Sequence, residues 1–82
     1  MPDASFHELV LYLAQKLVDH PDAVQVSEFD DAGTEVFELR VHPDDLGRII
    51  GRQGRTAQAL RALLQTAASK QRRRAALEIL DE

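Results

Sequence analysis

The sequence predicts an α+β domain: one helix, a strand hairpin, then two helical patterns joined by a glycine turn. Three observations carry this. Apolar residues recur at helical spacing after Ser5, alternate with polar ones in two short runs around Asp30-Asp31-Ala32-Gly33, and recur at helical spacing on both sides of Gly51-Arg52-Gln53-Gly54. The 82 residues are read as a single domain, 1–82. A chain of this size buries only about 60–65% of its unfolded surface, so its core is small.

Ser5-x-x-Glu8 reads as a capping box, and Phe6, Leu9, Val10, Leu13 and Leu17 fall on one face of a helix from about Phe6 to Asp19, ending before Pro21. Val24 to Phe29 and Glu35 to Val41 then alternate as two strands of a hairpin. Phe37, Leu39 and Val41 share the inward face, leaving Glu38 and Arg40 outward. His42-Pro43-Asp44-Asp45 breaks the strand, and its acids suit the start of a short helix carrying Leu46, Ile49 and Ile50. After Gly54 a longer helix is marked by Ala57, Leu60, Leu63, Leu64 and Ala67 and lasts to about Lys70. Residues Arg74 to Leu80 read two ways. Propensity extends the helix, whereas Leu77 and Ile79 would share one face of a strand.

The net charge of −4 is unevenly placed. Residues 1–45 hold eleven acids against Lys16 and Arg40, a balance of −9; residues 46–82 hold eight bases against three acids, a balance of +5. No acid occurs from Leu46 to Arg74, which points to one basic surface on an acidic body. Cysteine is absent, so disulfides and thiolate chemistry are excluded. No apolar run approaches the roughly 18 residues of a membrane span, and Met1 to Ser5 lack the positive charge of a secretory signal. The expectation is a cytoplasmic protein.

The glycine turn lies inside the basic run. Glycine can take φ > 0 and lets a ligand approach the main chain, and Arg52 between the two glycines carries charge to that point. With Gly54 just before the longer helix, the free N–H groups and positive dipole end of that helix face the turn, an arrangement suited to phosphate. Arg48 lies one turn before and Arg55 just after, while Gln53 adds a neutral donor and acceptor.

Ile49-Ile50-Gly51-Arg52-Gln53-Gly54 resembles the KH signature, in which a β-branched pair precedes Gly-x-x-Gly, a loop that clamps nucleotide backbone. Nearly the whole chain is similar to the small stand-alone bacterial KH proteins of the KhpA type. The resemblance implies the type II KH fold, α-β-β-α-α-β, with a three-stranded sheet packed on three helices, and so favours the strand reading for residues 75–80. It implies a single-stranded RNA site at Arg48, Ile49, Ile50, Gly51, Arg52, Gln53, Gly54 and Arg55. Bases would lie in a groove between the flanking helices and an edge of the sheet, near Ile49, Ile50 and the second strand. It implies a homodimer, a heterodimer with a larger KhpB-type (Jag/EloR) KH protein, or both, and a role as RNA chaperone or regulator linked to bacterial growth and shape. One departure stands out: Ala57 occupies a place where the common pattern has isoleucine, with Thr56 before it.

Other readings are weaker on the residues. Two helices meeting at a glycine turn suit a helix-turn-helix DNA reader, but four residues with two glycines are looser than that turn and leave the hairpin unexplained. Ala59, Ala62 and Ala68 offer a smooth helix face for a second copy, the basis of an interaction-module reading. A nucleotide-triphosphate loop fails because its first glycine would fall at Ile49 and Arg55 replaces its lysine. Phe6, Tyr12, Phe29 and Phe37 all precede the basic run, so no aromatic platform of the RRM kind is formed there. His7, His20 and His42 lack metal-ligand spacing and read as surface or helix-end residues, and Asp44-Asp45 as helix caps. No catalytic residue, metal or cofactor is expected, and the chain is not read as an enzyme. Arg72-Arg73-Arg74 is either a second phosphate contact or a turn before the last strand.

Overall fold

A computed structural model describes the chain from Ala4 to Asp81, with side chains from Phe6 onward. Helix α1 spans Ala4–Leu17, strand β1 Gln25–Asp31, β2 Thr34–Arg40, helix α2 Leu46–Ile50, α3 Arg55–Lys70 and β3 Arg74–Ile79. Short 3-10 turns at Pro21–Ala23, Pro43–Asp45 and Arg52–Gly54 make the connections. The order is the α-β-β-α-α-β expected, and the last element is a strand.

The sheet order is β1-β2-β3, with β2 antiparallel to β1 and parallel to β3. The hairpin is tighter than the sequence suggested. Asp30 and Asp31 belong to the exposed strand β1, and the turn needs only Ala32 and Gly33, at φ 52° and 93°. Two successive positive φ values give a turn whose twist matches that of the strands. The parallel pair needs a crossover, which α2, the loop and α3 supply.

Phe37, Leu39, Leu77 and Ala75 are buried beneath the helices, with Phe37 opposite Leu77 and Leu39 opposite Ile79. Val41 joins this core just past the end of β2. On α1 the buried stripe is Phe6, Val10 and Ala14; Leu13 is partly covered and Leu17 is exposed. The expected capping contact of Ser5 lies outside the described side chains. On α3 the buried stripe is Ala57, Leu60, Leu64 and Ala68, while Leu63 is 51% exposed. Leu63 therefore leaves the core face assigned to it: the contact stripe is only as wide as the neighbours α1 and β3 make it.

The turn between α3 and β3 dissects the arginine run. Arg72 takes a left-handed φ of 56°, its N–H bonding to the Ser69 carbonyl at 3.0 Å, and the N–H of Arg73 bonds to the Ala68 carbonyl at 2.9 Å. These bonds form a Schellman ending. Arg73 is half-buried, its guanidinium donating to both carboxylate oxygens of Glu35 and lying 4.3 Å from the centre of the Phe6 ring. It is thus a strut between α1, β2 and this turn, whereas Arg72 and Arg74 are exposed.

Candidate nucleic-acid interface

The site is held from behind by an aspartate. Asp45, at the start of α2, is only 1% exposed and accepts the N–H groups of Asp19 and His20 at 3.2 and 3.0 Å and the His20 ring Nδ1–H at 2.9 Å. Burial pushes its carboxyl up, but the His20 ring and the two N–H groups outweigh that and hold it below its ordinary value. Asp45 makes no side-chain cap on its own helix. It ties the end of α1 to α2 instead, and the side-chain cap found here belongs to the preceding 3-10 turn Pro43–Asp45, where the His42 ring Nδ1 accepts the N–H of Asp44 at 3.1 Å.

Helix α2 is five residues long and ends at Gly51, whose N–H closes the helix on the Gly47 carbonyl at 2.8 Å. Within it, Ile49 is fully buried and Ile50 is 39% exposed. Of the two isoleucines expected beside a ligand, Ile49 points into the core and only Ile50 offers an apolar surface. Arg48 is exposed and paired with Asp19 at 3.0 Å.

Gly51, Gln53 and Gly54 have φ of 75°, 57° and 74°. Gly51 also has ψ 170°, a region open almost only to glycine, and a Cβ there would lie 2.2 Å from Thr56 Oγ1. Gly54 is left-handed with open space around it. The two glycines therefore act differently: the first lets the turn lie against the start of α3, and the second supplies only a backbone angle. Thr56 is the residue that sequence reasoning missed, because contact with Gly51 leaves no trace in periodicity.

Arg52, Gln53 and Arg55 are exposed, and Arg55 Nη2 donates to Gln53 Oε1 at 3.1 Å. The N-cap of α3 is Gly54, which has no side chain to cap it, so the positive end of this 16-residue helix is shared with the turn. Ala57 is buried directly behind it. Farther along, Arg61 Nε donates to the Leu77 carbonyl at 3.2 Å and fixes α3 to β3. The second strand is central in the sheet, not an edge; its C-terminal residues Arg40 and Val41 line a cleft of about 180 Å³ with Pro43, Leu46, Leu80 and Asp81. A larger apolar hollow of about 630 Å³ lies on the outer face of α1 and α3, lined by Leu9, Ala59, Ala62, Leu63, Thr66, Ala67 and Lys70. Ala59 and Ala62 are exposed there, as a smooth helix face requires, but Ala68 is buried in the core. Among the described residues no helix is long and apolar enough to cross a membrane.

Comparison with known proteins identifies the family of this fold. Residues 7–79 match the family described as KhpA/KhpB, KH domain. A protein of Halalkalibacterium halodurans named RNA-binding protein KhpA is 58% identical over 73 residues, 89% of this chain and 96% of that one. Proteins of the same name are 48% identical in Caldanaerobacter subterraneus, over 89% of this chain and 97% of that one, and 44% identical in Aquifex aeolicus, over 95% and 99%. A crystal structure of Aquifex aeolicus Era superposes with a TM-score of 0.67 at 20% identity, covering 99% of this chain and 31% of that one, a likeness of fold alone. The chain belongs to the KhpA/KhpB family of KH domains.

Proposed function

We propose that this protein binds single-stranded RNA, with the backbone held by the turn from Gly51 to Gly54. The observation that carries the reading is the turn itself: exposed Arg52, Gln53 and Arg55 stand at the uncapped start of a 16-residue helix, inside a stretch without acids. The relatives' shared name, RNA-binding protein KhpA, supports it. Phosphates sit at the turn, where Arg52 makes the first contact and Arg48 adds its charge by exchanging Asp19 for phosphate. Bases lie against Ile50, with Ile49 supporting the platform from below. The chain works as one domain, without catalysis, in the cytoplasm.

The apolar hollow beside Leu63 suits self-pairing or pairing with a larger KhpB-type protein, and two linked loops would raise the affinity of one that grips only about four nucleotides. The family resemblance suggests a role as RNA chaperone or regulator of growth and shape.

Titration of short single-stranded RNA against duplex DNA of the same length tests the reading. RNA is expected to bind more tightly, with a log–log salt slope of roughly −2 to −3 for three to four phosphates at about −0.7 each. Equal or tighter binding of duplex DNA would favour the helix-turn-helix reading.

A further inference from the structure

The fold brings together two histidines that lie 22 positions apart in sequence. His20 follows α1, His42 follows β2, and their rings stack with centroids 4.1 Å apart and planes 14° from parallel. Donor atoms of His20, His42 and Asp44 all lie within 4.8 Å of one another. We propose that these three side chains form a binding site for a divalent cation of the zinc class, in a place that the RNA reading does not use.

Each donor has a defined state. His20 Nδ1–H is committed to the Asp45 carboxylate at 2.9 Å, which leaves Nε2 as the ring nitrogen with a lone pair to offer, on a side chain that is 46% exposed. A buried carboxylate that fixes the tautomer of a histidine is the usual outer support of a metal-bound imidazole. Asp45 is well suited to that part, since two main-chain N–H groups hold it in place as well. His42 offers Nδ1: its lone pair now accepts the N–H of Asp44 at 3.1 Å, and Asp44 Oδ2 stands 3.8 Å from the same nitrogen. A cation bound at about 2.0–2.2 Å from each donor requires the donors, now within 4.8 Å of one another, to draw closer and the rings to turn out of their stack. It takes the lone pair from the Asp44 N–H, which is exposed and turns to water at little cost. The stacked rings must tilt apart, because a metal lies in the plane of each imidazole. The side chains of His20 and His42 are 46% and 37% exposed, which leaves them room to do so.

Two imidazoles with one carboxylate select zinc, nickel or copper over calcium and magnesium, which prefer oxygen donors. Three donors at the surface leave the remaining coordination positions to water, so the affinity is micromolar rather than that of a closed structural site. The bound ion would join the connection after α1 to the start of α2, the helix that ends in the glycine turn, and so steady the turn from behind.

Zinc binding to the full chain, prepared without a histidine tag, tests this by competition with a chromogenic chelator and by thermal unfolding. One ion per chain at micromolar affinity and a rise in unfolding temperature reversed by EDTA are expected. His42→Asn keeps an acceptor for the Asp44 N–H but loses the imidazole; it and Asp44→Asn should each weaken binding about tenfold or more. His7→Gln, at the separate His7–Glu28 pair, should not. Because a variant can lose its fold, ring-nitrogen NMR of the parent chain supplies a second reading: zinc should shift the His20 and His42 signals and spare His7. Absence of one-to-one binding up to about 1 mM, undiminished binding by the variants, or shifts confined to His7 would each overturn the proposal.

Discussion

Gly51 and Gly54 look equivalent in the sequence and differ in the structure. At Gly51 an alanine meets two obstacles, a backbone conformation nearly closed to it and the Thr56 hydroxyl 2.2 Å from its Cβ. At Gly54 only the left-handed angle resists, and the space is open. Gly51→Ala is therefore expected to cost about 2–4 kcal/mol, from a glycine-only conformation plus steric displacement. Gly54→Ala should cost about 1 kcal/mol, and Gly54→Asn less, because asparagine tolerates this region. Urea unfolding of the three variants checks the order; equal losses at 51 and 54 would refute the packing role of Thr56. The need for glycine was legible in the motif, but the reason for the first glycine was not, since it lies in a contact with a residue five positions on.

At the scale of elements, alternation and helical spacing located α1, the hairpin and both helices beside the turn. They did not determine which apolar residues meet a neighbour. Ile49 and Leu63 both fit an apolar stripe, yet Ile49 is enclosed by the core and Leu63 looks outward over the hollow on α1 and α3. Likewise Ala75, Ala76 and Leu77 favour helix by propensity, and pairing of β3 with β2 overrides it. Long-range polar contacts were invisible for the same reason. Glu35 and Arg73 lie 38 positions apart, and Asp45 and His20 lie 25 apart. The Asp45 carboxyl is held below its ordinary value, so its contribution to stability is present above about pH 4 and is lost as pH falls through the lowered value. The outward position of Leu63 gives the surface a definite test. Leu63→Arg leaves the core intact and puts a charge in the hollow, so light scattering should show a self-associating parent and a monomeric variant of unchanged unfolding midpoint. A parent that stays monomeric at high concentration would contradict self-pairing through this face.

The whole molecule carries opposite charges in its two halves. The acids of Glu28, Asp30 and Asp31 lie exposed on β1, an edge strand, where they discourage strand pairing with other chains. Eight of the ten bases gather on α2, the turn, α3, its connection to β3 and the first residue of β3. A protein of net charge −4 can thus avoid general adhesion to polyanions while one small surface attracts phosphate. Arg73 is removed from that surface by Glu35, and Arg48 is held in reserve by Asp19, so Arg52 is the most directly presented of the loop's charges. The most direct measurement is the affinity of the Arg52→Asp, Gln53→Asp double variant for short single-stranded RNA, beside the parent. Both residues are exposed in the turn, and aspartate accepts the left-handed angle at 53. Binding should fall about tenfold or more while the unfolding midpoint stays within that of the parent; a folded variant that binds RNA equally well would show that the turn is not the RNA site.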